Sequence, residues 1–588
     1  MEKSAPIFTE KNECQDCFKC VRECPVKAVR IENACATVIP QLCMACGHCV
    51  GVCPSGAKRV RDDLPRAQEL LRSKKRVIVS LAPSFVSEFA GVGHSDLIGA
   101  LKTLGFMGVS ETALGAQQVS GSVAAMLKEP QPRLIVSSAC PAIVDYLQKY
   151  EPSYAAAITP VASPVLAHCH LLRNIYGKDI GIVFVSPCIA KKREADAHAG
   201  VLDVAITFED LRRWLAQQKI SLGNGKDAGV TSGTEDGATA NAAFIPEASE
   251  EGALYPIDGG MMASVKAGCT SAEAQCMSFS GISAIRKALD GLRDAPLTQP
   301  LFLELLACEG GCINGPKAFR RGATAAKRYQ IIHYAKLQPE RLPRAASAPA
   351  MPLAKVEPVT VKPHTEAQIQ ECLRSIGKQR LEDELNCGGC GYDNCREFAT
   401  ALADGKAERV MCVTYMRKLA QKKANALMSK TPNAVVLVDA NLKIIECNIN
   451  FAQILGPDAA AAFKSRPGLD GTPLRTLLPF HHLFQSVLQT GEDILGREIR
   501  FQQSILQVSI FTIEKGQVAC AIMQDITQPA VRKERIIQQT QEVIRKNLET
   551  VQQIAYLLGE NAAESEVMLN AIIKSFSNTD ANQNANEQ

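Results

Sequence analysis

One cysteine spacing occurs twice near the start of the chain. Cys14-x2-Cys17-x2-Cys20-x3-Cys24-Pro25 is followed by Cys43-x2-Cys46-x2-Cys49-x3-Cys53-Pro54. The 588 residues include 23 cysteines, most of them in tight C-x-x-C clusters. Met1-Glu2-Lys3-Ser4 leads into charged residues and cysteines, not into an apolar signal core. Metal-binding thiolates in a reducing cytoplasm are therefore expected, in place of disulfides. With 65 basic and 61 acidic side chains, the formal charge is only +4. That balance gives no electrostatic case for nucleic acid or an anionic membrane as main partner. No run approaches 18 uninterrupted apolar residues, so no membrane span is expected.

The C-x2-C-x2-C-x3-C-P run is the pattern of two-cluster bacterial ferredoxins. Three close cysteines wrap one cubane and the fourth reaches to the other. Cys14, Cys17, Cys20 and Cys53 are expected to hold one 4Fe-4S cluster, and Cys43, Cys46, Cys49 and Cys24 the other. Two cubanes this close form an electron wire and imply redox chemistry or redox sensing further along the chain.

The rest of the sequence divides by composition and periodicity. Residues 1–62 form the ferredoxin-like head and 76–337 an α/β domain. In that domain Val77–Leu81 and Gly181–Val185 read as buried strands. A Gly-, Ala- and Glu-rich stretch near 222–252 reads as an exposed loop. Residues 338–365, with prolines at 339, 343, 349, 352, 358 and 363, form a stiff extended linker. A second cysteine group lies in 366–427, and strands and helices alternate over 428–529. Residues 530–576 place Ile537, Ile544, Leu548, Val551, Ala555, Leu558 and Ala562 on a heptad seam. The tail 577–588 is polar and expected to be disordered.

Three motifs stand out in the α/β domain: Ser137-Ser138-Ala139-Cys140-Pro141, Ser186-Pro187-Cys188-Ile189-Ala190-Lys191-Lys192-Arg193-Glu194, and Glu304-Leu305-Leu306-Ala307-Cys308-Glu309-Gly310-Gly311-Cys312-Ile313-Asn314-Gly315-Pro316. Four thiolates from three loops can hold one more cubane. The paired glycines before Cys312 let backbone approach a bulky cofactor. In this order after a two-cubane head, the motifs resemble the catalytic domain of [FeFe] hydrogenases. Ala82-Pro83-Ser84 and Gly259-Gly260-Met261-Met262 extend the resemblance. It implies two lobes, each a parallel sheet flanked by helices, with an H-cluster in the cleft: a 4Fe-4S cubane on Cys140, Cys188, Cys308 and Cys312. Cys312 would bridge to a two-iron subsite carrying CO, cyanide and a dithiolate. Lys191 would bond one cyanide, and Ser84 with the backbone of Pro83 the other, because a buried anion needs charged or hydroxyl donors. The alternative for Lys191 is a surface lysine.

Departures from the family pattern are specific. High-turnover members carry a proton-passing cysteine where this chain has Ala139, and carboxylates where it has Val119 and Ser122. Ser186, Leu306 and Ser163-Pro164-Val165-Leu166 also differ from the usual residues. The cofactor cage is kept and the proton relay is not. Loss of such a relay costs about 100- to 10,000-fold, so slow turnover is expected. Glu111 and Glu309 are the remaining acids that offer another path.

Cys387-Gly388-Gly389-Cys390-x4-Cys395-x16-Cys412 resembles a small iron–sulfur domain of anaerobic redox proteins. It would hold a third 4Fe-4S cluster, with zinc as the alternative. Cys35, Cys169, Cys269, Cys276, Cys372, Cys447 and Cys520 remain and read as small buried hydrophobes, with Cys169 and Cys269 candidates for a place near the active site. Further on, Thr431–Ala440, Lys443–Asn448, Asn450-Phe451 and Met523–Thr527 resemble a PAS domain. His481-His482 read as surface residues with haem ligation as the alternative, and no PAS cofactor is the default.

The fold class is thus multidomain α/β and α+β. It comprises a two-cluster head, a two-lobed hydrogenase domain with parallel sheets, a small iron–sulfur domain, a PAS domain and a coiled-coil helix. The function expected is a cytoplasmic sensory hydrogenase that reacts slowly with H2. Redox state would pass through 4Fe-4S clusters to a kinase, phosphatase or regulator, with ferredoxin or another redox carrier as electron partner. A homodimer through PAS and coiled coil is expected. Alternatives are a working hydrogenase, and a non-catalytic iron–sulfur protein on the same fold.

Overall fold

The computed structural model describes residues 5–129, 131–222, 243–268, 275–319, 322–335, 348–352, 356–360, 363–526, 540–548 and 550. Cys269, Pro339, Pro343, Thr527, Ile537 and most of the 222–252 loop lie outside them. So do the heptad positions from Val551 onward and the 577–588 tail. The chain divides into two compact units, one up to Met411 and one from Cys412. Among the described residues no helix is long and apolar enough to cross a membrane.

The head is built on two small antiparallel pairs. Strand β1 (Ile7–Thr9) pairs with β4 (Lys58–Val60), and β2 (Val29–Glu32) with β3 (Cys35–Val38). Each cysteine run ends in a short helix, Lys19–Arg22 or His48–Val52. Few side chains are buried here, as its cysteine-rich composition dictates.

Two parallel sheets follow. The first has the order β6-β5-β8-β9, from β5 (Val77–Leu81), β6 (Gly108–Glu111), β8 (Gly181–Ser186) and β9 (Val204–Thr207). All four are buried along their length, as sheets covered on both faces require. The second has the order β10-β11-β7, from β7 (Leu134–Val136), β10 (Gln275–Ser280) and β11 (Leu301–Leu306). Strand β11 is buried throughout and sits at the centre, while β10 is a half-exposed edge. This is the two-lobed arrangement expected. Each cysteine motif starts at the end of a parallel strand: Ser137 after β7, Ser186 at the end of β8, Ala307 after β11. Ala82-Pro83-Ser84 leaves β5 at the same edge. The carboxyl ends of parallel strands are where such folds place ligands.

The first sheet is pinned from inside. His168, on helix Pro164–Tyr176, is fully buried. Its Nδ1 meets Ser80 Oγ at 2.8 Å and its Nε2 meets Ser110 Oγ at 2.8 Å. Burial pushes its pKa down to about 3, so the ring is neutral and ties β5 to β6.

The described part of the proline-rich linker is not a free spacer. Ala162 N donates to Pro349 O at 3.0 Å, Met351 N to Pro160 O at 2.8 Å, and Val359 N to Lys149 O at 2.8 Å. Extended backbone carries unpaired amides and carbonyls that must find partners when covered, and here the lobe beneath supplies them. Two helices then pack together, Glu366–Ser375 and Cys395–Ala403.

In the second unit, helix Val413–Lys430 runs across the expected 427/428 boundary without a break. The unit then forms one antiparallel sheet, β13-β12-β16-β15-β14. Its strands are β12 (Ala434–Asp439), β13 (Ile444–Cys447), β14 (Ile494–Phe501), β15 (Ser504–Glu514) and β16 (Val518–Asp525). Helices Ile449–Leu455, Pro457–Ser465 and His481–Thr490 lie between β13 and β14. Asn448 is the hub. Its Oδ1 accepts from Val435 N at 2.9 Å and Phe451 N at 3.0 Å, and its Nδ2 donates to Met428 O at 3.1 Å and Asn433 O at 2.7 Å.

Candidate metal centres

The head brings its cysteines together in two groups. Burial pushes the Cys20 thiol up to about 11, and Cys17, Cys14 and Cys53 are near enough to add to the shift. The same holds for Cys49, raised by burial and then by Cys46, Cys43 and Cys24. In both groups the fourth member comes from the other run, the crossing that the C-x2-C-x2-C-x3-C spacing implies.

Cys35 departs from its reading as a buried hydrophobe. The β2–β3 hairpin sets it half-buried beside Cys14, where burial and then Cys14 raise its pKa. Cys276 and Cys372 are also only half-buried, whereas Cys169, Cys447 and Cys520 are buried. Cys169 lies within electrostatic reach of Lys191 and Glu194.

In the cleft, Cys140, Cys188, Cys308 and Cys312 face one another from three loops. Burial raises Cys188 to about 11, and Cys140 adds to it. Cys308 is pushed well up by burial, then by Cys312, Cys188 and Cys140. Buried thiols that repel each other's charge give up their protons only to a bound cation or cluster. Cys188 comes from the first sheet, Cys140 and Cys308 from the second. Cys46 of the head packs with Cys140, Cys188, Ala45 and Ala307 around Ala142 and Ala190. Gly47, at φ +78°, is pressed against the cage loops; a Cβ there would fall 2.6 Å from Ile189 Cδ1 and 2.7 Å from Pro316 Cβ. Lys149 Nζ (2.9 Å) and Arg193 Nη1 (2.8 Å) both donate to the Cys43 carbonyl. The head is therefore clamped against the cage.

The glycines before Cys312 lie close to a neighbouring loop of the chain. Gly310 and Gly311 have φ of +73° and +97°, and a Cβ on Gly311 would lie 2.4 Å from Pro256 O. The close approach is to the Pro256–Asp258 backbone. Glu304, buried, holds the next helix: its carboxylate accepts from Met261 N at 3.4 Å and Met262 N at 2.9 Å. Burial pushes that carboxyl up to about 7.

Lys191 is not a surface lysine. Its ammonium donates to Ser163 Oγ at 3.1 Å and Glu194 Oε2 at 2.6 Å, with both charged side chains about nine-tenths buried. Lysine has three protons to donate, and these two bonds use two. Ser84 is buried, and its Oγ has no protein partner. A buried hydroxyl without a partner costs about 1–3 kcal/mol and fits a pocket that receives a hydrogen-bonding ligand. Pro83 precedes it at the end of β5. Ala139 is half-buried, Val119 is fully buried and Ser122 bonds back to its own helix at Gln118 O. Glu111 is buried, accepting from Tyr334 Oη at 2.6 Å and Ser249 N at 2.6 Å, and burial raises its pKa. Glu309 is exposed.

In the first unit, Cys387 is exposed, Cys390 half-buried and Cys395 buried. Gly388 and Gly391 take φ of +68° and +95° to form the turn that carries them. Cys412 caps helix Val413–Lys430 of the second unit. Among the described residues, no three or more His, Cys, Asp or Glu close up as they would around a single metal ion. His482 is exposed, and His481 Nδ1 bonds Leu478 O at 3.1 Å.

Lys149 is not read from sequence, and Ser163, Arg193, Glu194 and Glu304 stand in the sequence motifs without an assigned role. Only Glu194 left a local signal, three residues after Lys191 on one helical face.

Comparisons with known proteins follow the same map. Residues 75–316 match the family described as iron only hydrogenase large subunit, C-terminal domain. A 4Fe-4S binding domain matches 36–59, and an Fe-S cluster family matches 383–414. Iron hydrogenase 1 of Clostridium pasteurianum is 24% identical over 300 residues, 41% of this chain and 50% of that protein. The chain thus spans about half the length of that curated relative. Among solved structures, a variant of the [FeFe]-hydrogenase HydA1 from Chlamydomonas reinhardtii is 18% identical, covering 49% of this chain and 91% of that one at a TM-score of 0.35. A domain of an HTR-like protein from Haloarcula marismortui, also 18% identical, covers 16% of this chain and all of that one at a TM-score of 0.14.

Proposed function

We propose, from the match of residues 75–316 to the iron-only hydrogenase family, that this chain is a sensory [FeFe] hydrogenase of low turnover. The observation that carries the reading is Ala139. It stands one residue before Cys140, inside a cage that keeps its four cysteines, Lys191 and Ser84. A methyl group neither accepts nor gives a proton. The orphaned Ser84 hydroxyl and the four mutually repelling thiols suit an H-cluster. When bound, that group supplies the splitting and formation of H2 at its two-iron part.

The chain's own residues supply the rest. Cys140, Cys188, Cys308 and Cys312 would hold the cubane, and Cys312 would also serve the two-iron part. Lys191 and Ser84, with the Pro83 backbone, would orient the anionic ligands. The packing of Cys46 on Cys140 supports electron passage to the head over a short distance. The head's eight cysteines and the set at 387–412 would carry three more 4Fe-4S clusters.

The second unit is read as PAS. Its sheet order, with the unit's first two strands at one end and its last three returning beside them, supports that reading, as does Asn448 tying sheet to helix. It would pass redox state to a kinase, phosphatase or regulator, as a homodimer.

Infrared spectroscopy of anaerobic protein supplied with the two-iron cofactor is the test. CO and cyanide bands that shift under hydrogen, with hydrogen evolution far below that of high-turnover enzymes, are expected. No such bands would leave a cubane-only protein, and fast evolution would leave a working hydrogenase.

A further inference from the structure

The turn carrying Cys387 and Cys390 lies against the head, and both belong to the first compact unit. Arg22 joins them with a single guanidinium. Its Nη2 donates to Cys17 O at 3.0 Å and its Nη1 to Gly389 O at 3.4 Å. Lys27 Nζ donates to Gly391 O at 2.7 Å and to Arg22 O at 3.0 Å, and sits 5.9 Å from the centroid of the Tyr392 ring. Gly391, at φ +95°, lies so close that a Cβ would fall 3.0 Å from Arg22 N and 3.1 Å from Val21 Cγ1. Two more bonds extend the contact: Ile31 N to Lys406 O at 2.9 Å, and Asn33 N to Glu408 Oε1 at 2.7 Å.

Tyr392 occupies the middle of this face. It is 4% exposed, and its hydroxyl has no protein partner. Both Cys390 and Cys24 lie within electrostatic reach of it. A buried O–H demands an acceptor, and a cluster sulfur is the acceptor that these neighbours offer.

We propose that this face is an electron-transfer junction, across which the cluster of the 387–412 segment and the head exchange single electrons. The order is then cage, head, third cluster, with the Tyr392 hydroxyl bonded to cluster sulfur at the junction. One electron passes from a reduced cubane to an oxidised one; no bond forms or breaks and no proton moves. The proposal deepens the sensory reading and rests on it only for the presence of the third cluster.

The test uses the full chain with its cubanes reconstituted from iron and sulfide, reduced with dithionite and studied by pulsed electron paramagnetic resonance. The head signals are expected to relax faster in the parent protein than in Cys390→Ala. Gly391→Leu, at unchanged iron and sulfide content, is expected to return them to the Cys390→Ala rate. Relaxation in Gly391→Leu equal to the parent's overturns the junction. Equal iron content in Cys390→Ala and parent removes the third cluster itself, a failure of the underlying reading that iron analysis separates from failure of the junction. If Gly391→Leu does not fold, Tyr392→Phe serves: loss of an O–H···S bond lowers the third cluster's reduction potential, and an unchanged potential overturns the hydroxyl's place in it.

Discussion

Lys191→Met separates two roles that one ammonium is asked to fill. The Lys191–Glu194 pair is 2.6 Å long and its side chains are 10% and 9% exposed. Removing one partner of a buried pair costs about 3–5 kcal/mol, because the other charge is left uncompensated. Taking about 3 kcal/mol, local opening of the helix Ala190–Ala197 rises roughly 150-fold. Amide hydrogen exchange read on that helix measures it. Lys191→Met/Glu194→Met removes both charges, and apolar replacement of a buried pair is close to neutral in stability. The double variant should therefore regain protection. It should not regain the cyanide bands of the parent if Lys191 is the donor proposed for that ligand. Unchanged exchange in the single variant would refute the electrostatic argument. Parent-like infrared bands in the double variant would refute the assignment of Lys191 to the cofactor.

Three further outcomes are expected. His168, held at about 3 by burial against about 6.5 when unfolded, stabilises β5 and β6 fully above pH 6.5. That contribution is lost as pH falls, by about 2 kcal/mol between pH 6.5 and 5. Hydrogen exchange of the two strands reads the loss, and His168→Gln should abolish its pH dependence. Ala139→Cys restores the first proton carrier and should raise viologen-linked hydrogen evolution towards the low end of the about 100- to 10,000-fold that a relay gives; a rate within twofold of the parent would show that the block lies elsewhere. Gly47→Ala puts a Cβ into Ile189 and Pro316 at positive φ and should cost about 1–3 kcal/mol. Its spectroscopic sign is weaker magnetic interaction between the head clusters and the cage cubane, at unchanged iron content.

What sequence could and could not tell follows the range of each interaction. The two cysteine groups of the head were legible because each run repeats spacings of two and three residues. The meeting of the cage cysteines was legible because their motifs follow apolar strands, such as Gly181–Ser186 and Leu301–Leu306. Lys149 and Arg193 meeting on the Cys43 carbonyl, over 106 and 150 residues, leave no local pattern. The docking of Gly391 on Arg22 leaves none either. Cys35 was misread because only the hairpin register places it beside Cys14. The linker prolines gave no sign that Pro160, Ala162 and Lys149 would bond its described part down.

The cage draws one ligand from the first sheet and others from the second, so whatever fills it also rivets the two lobes. Binding that requires both lobes in place adds its free energy to the folded form alone. Emptied, the cleft keeps four cysteines and an orphaned serine where the rivet would be. The lobes should then part more readily and become open to proteases. Iron supply would in this way set how much of the protein survives.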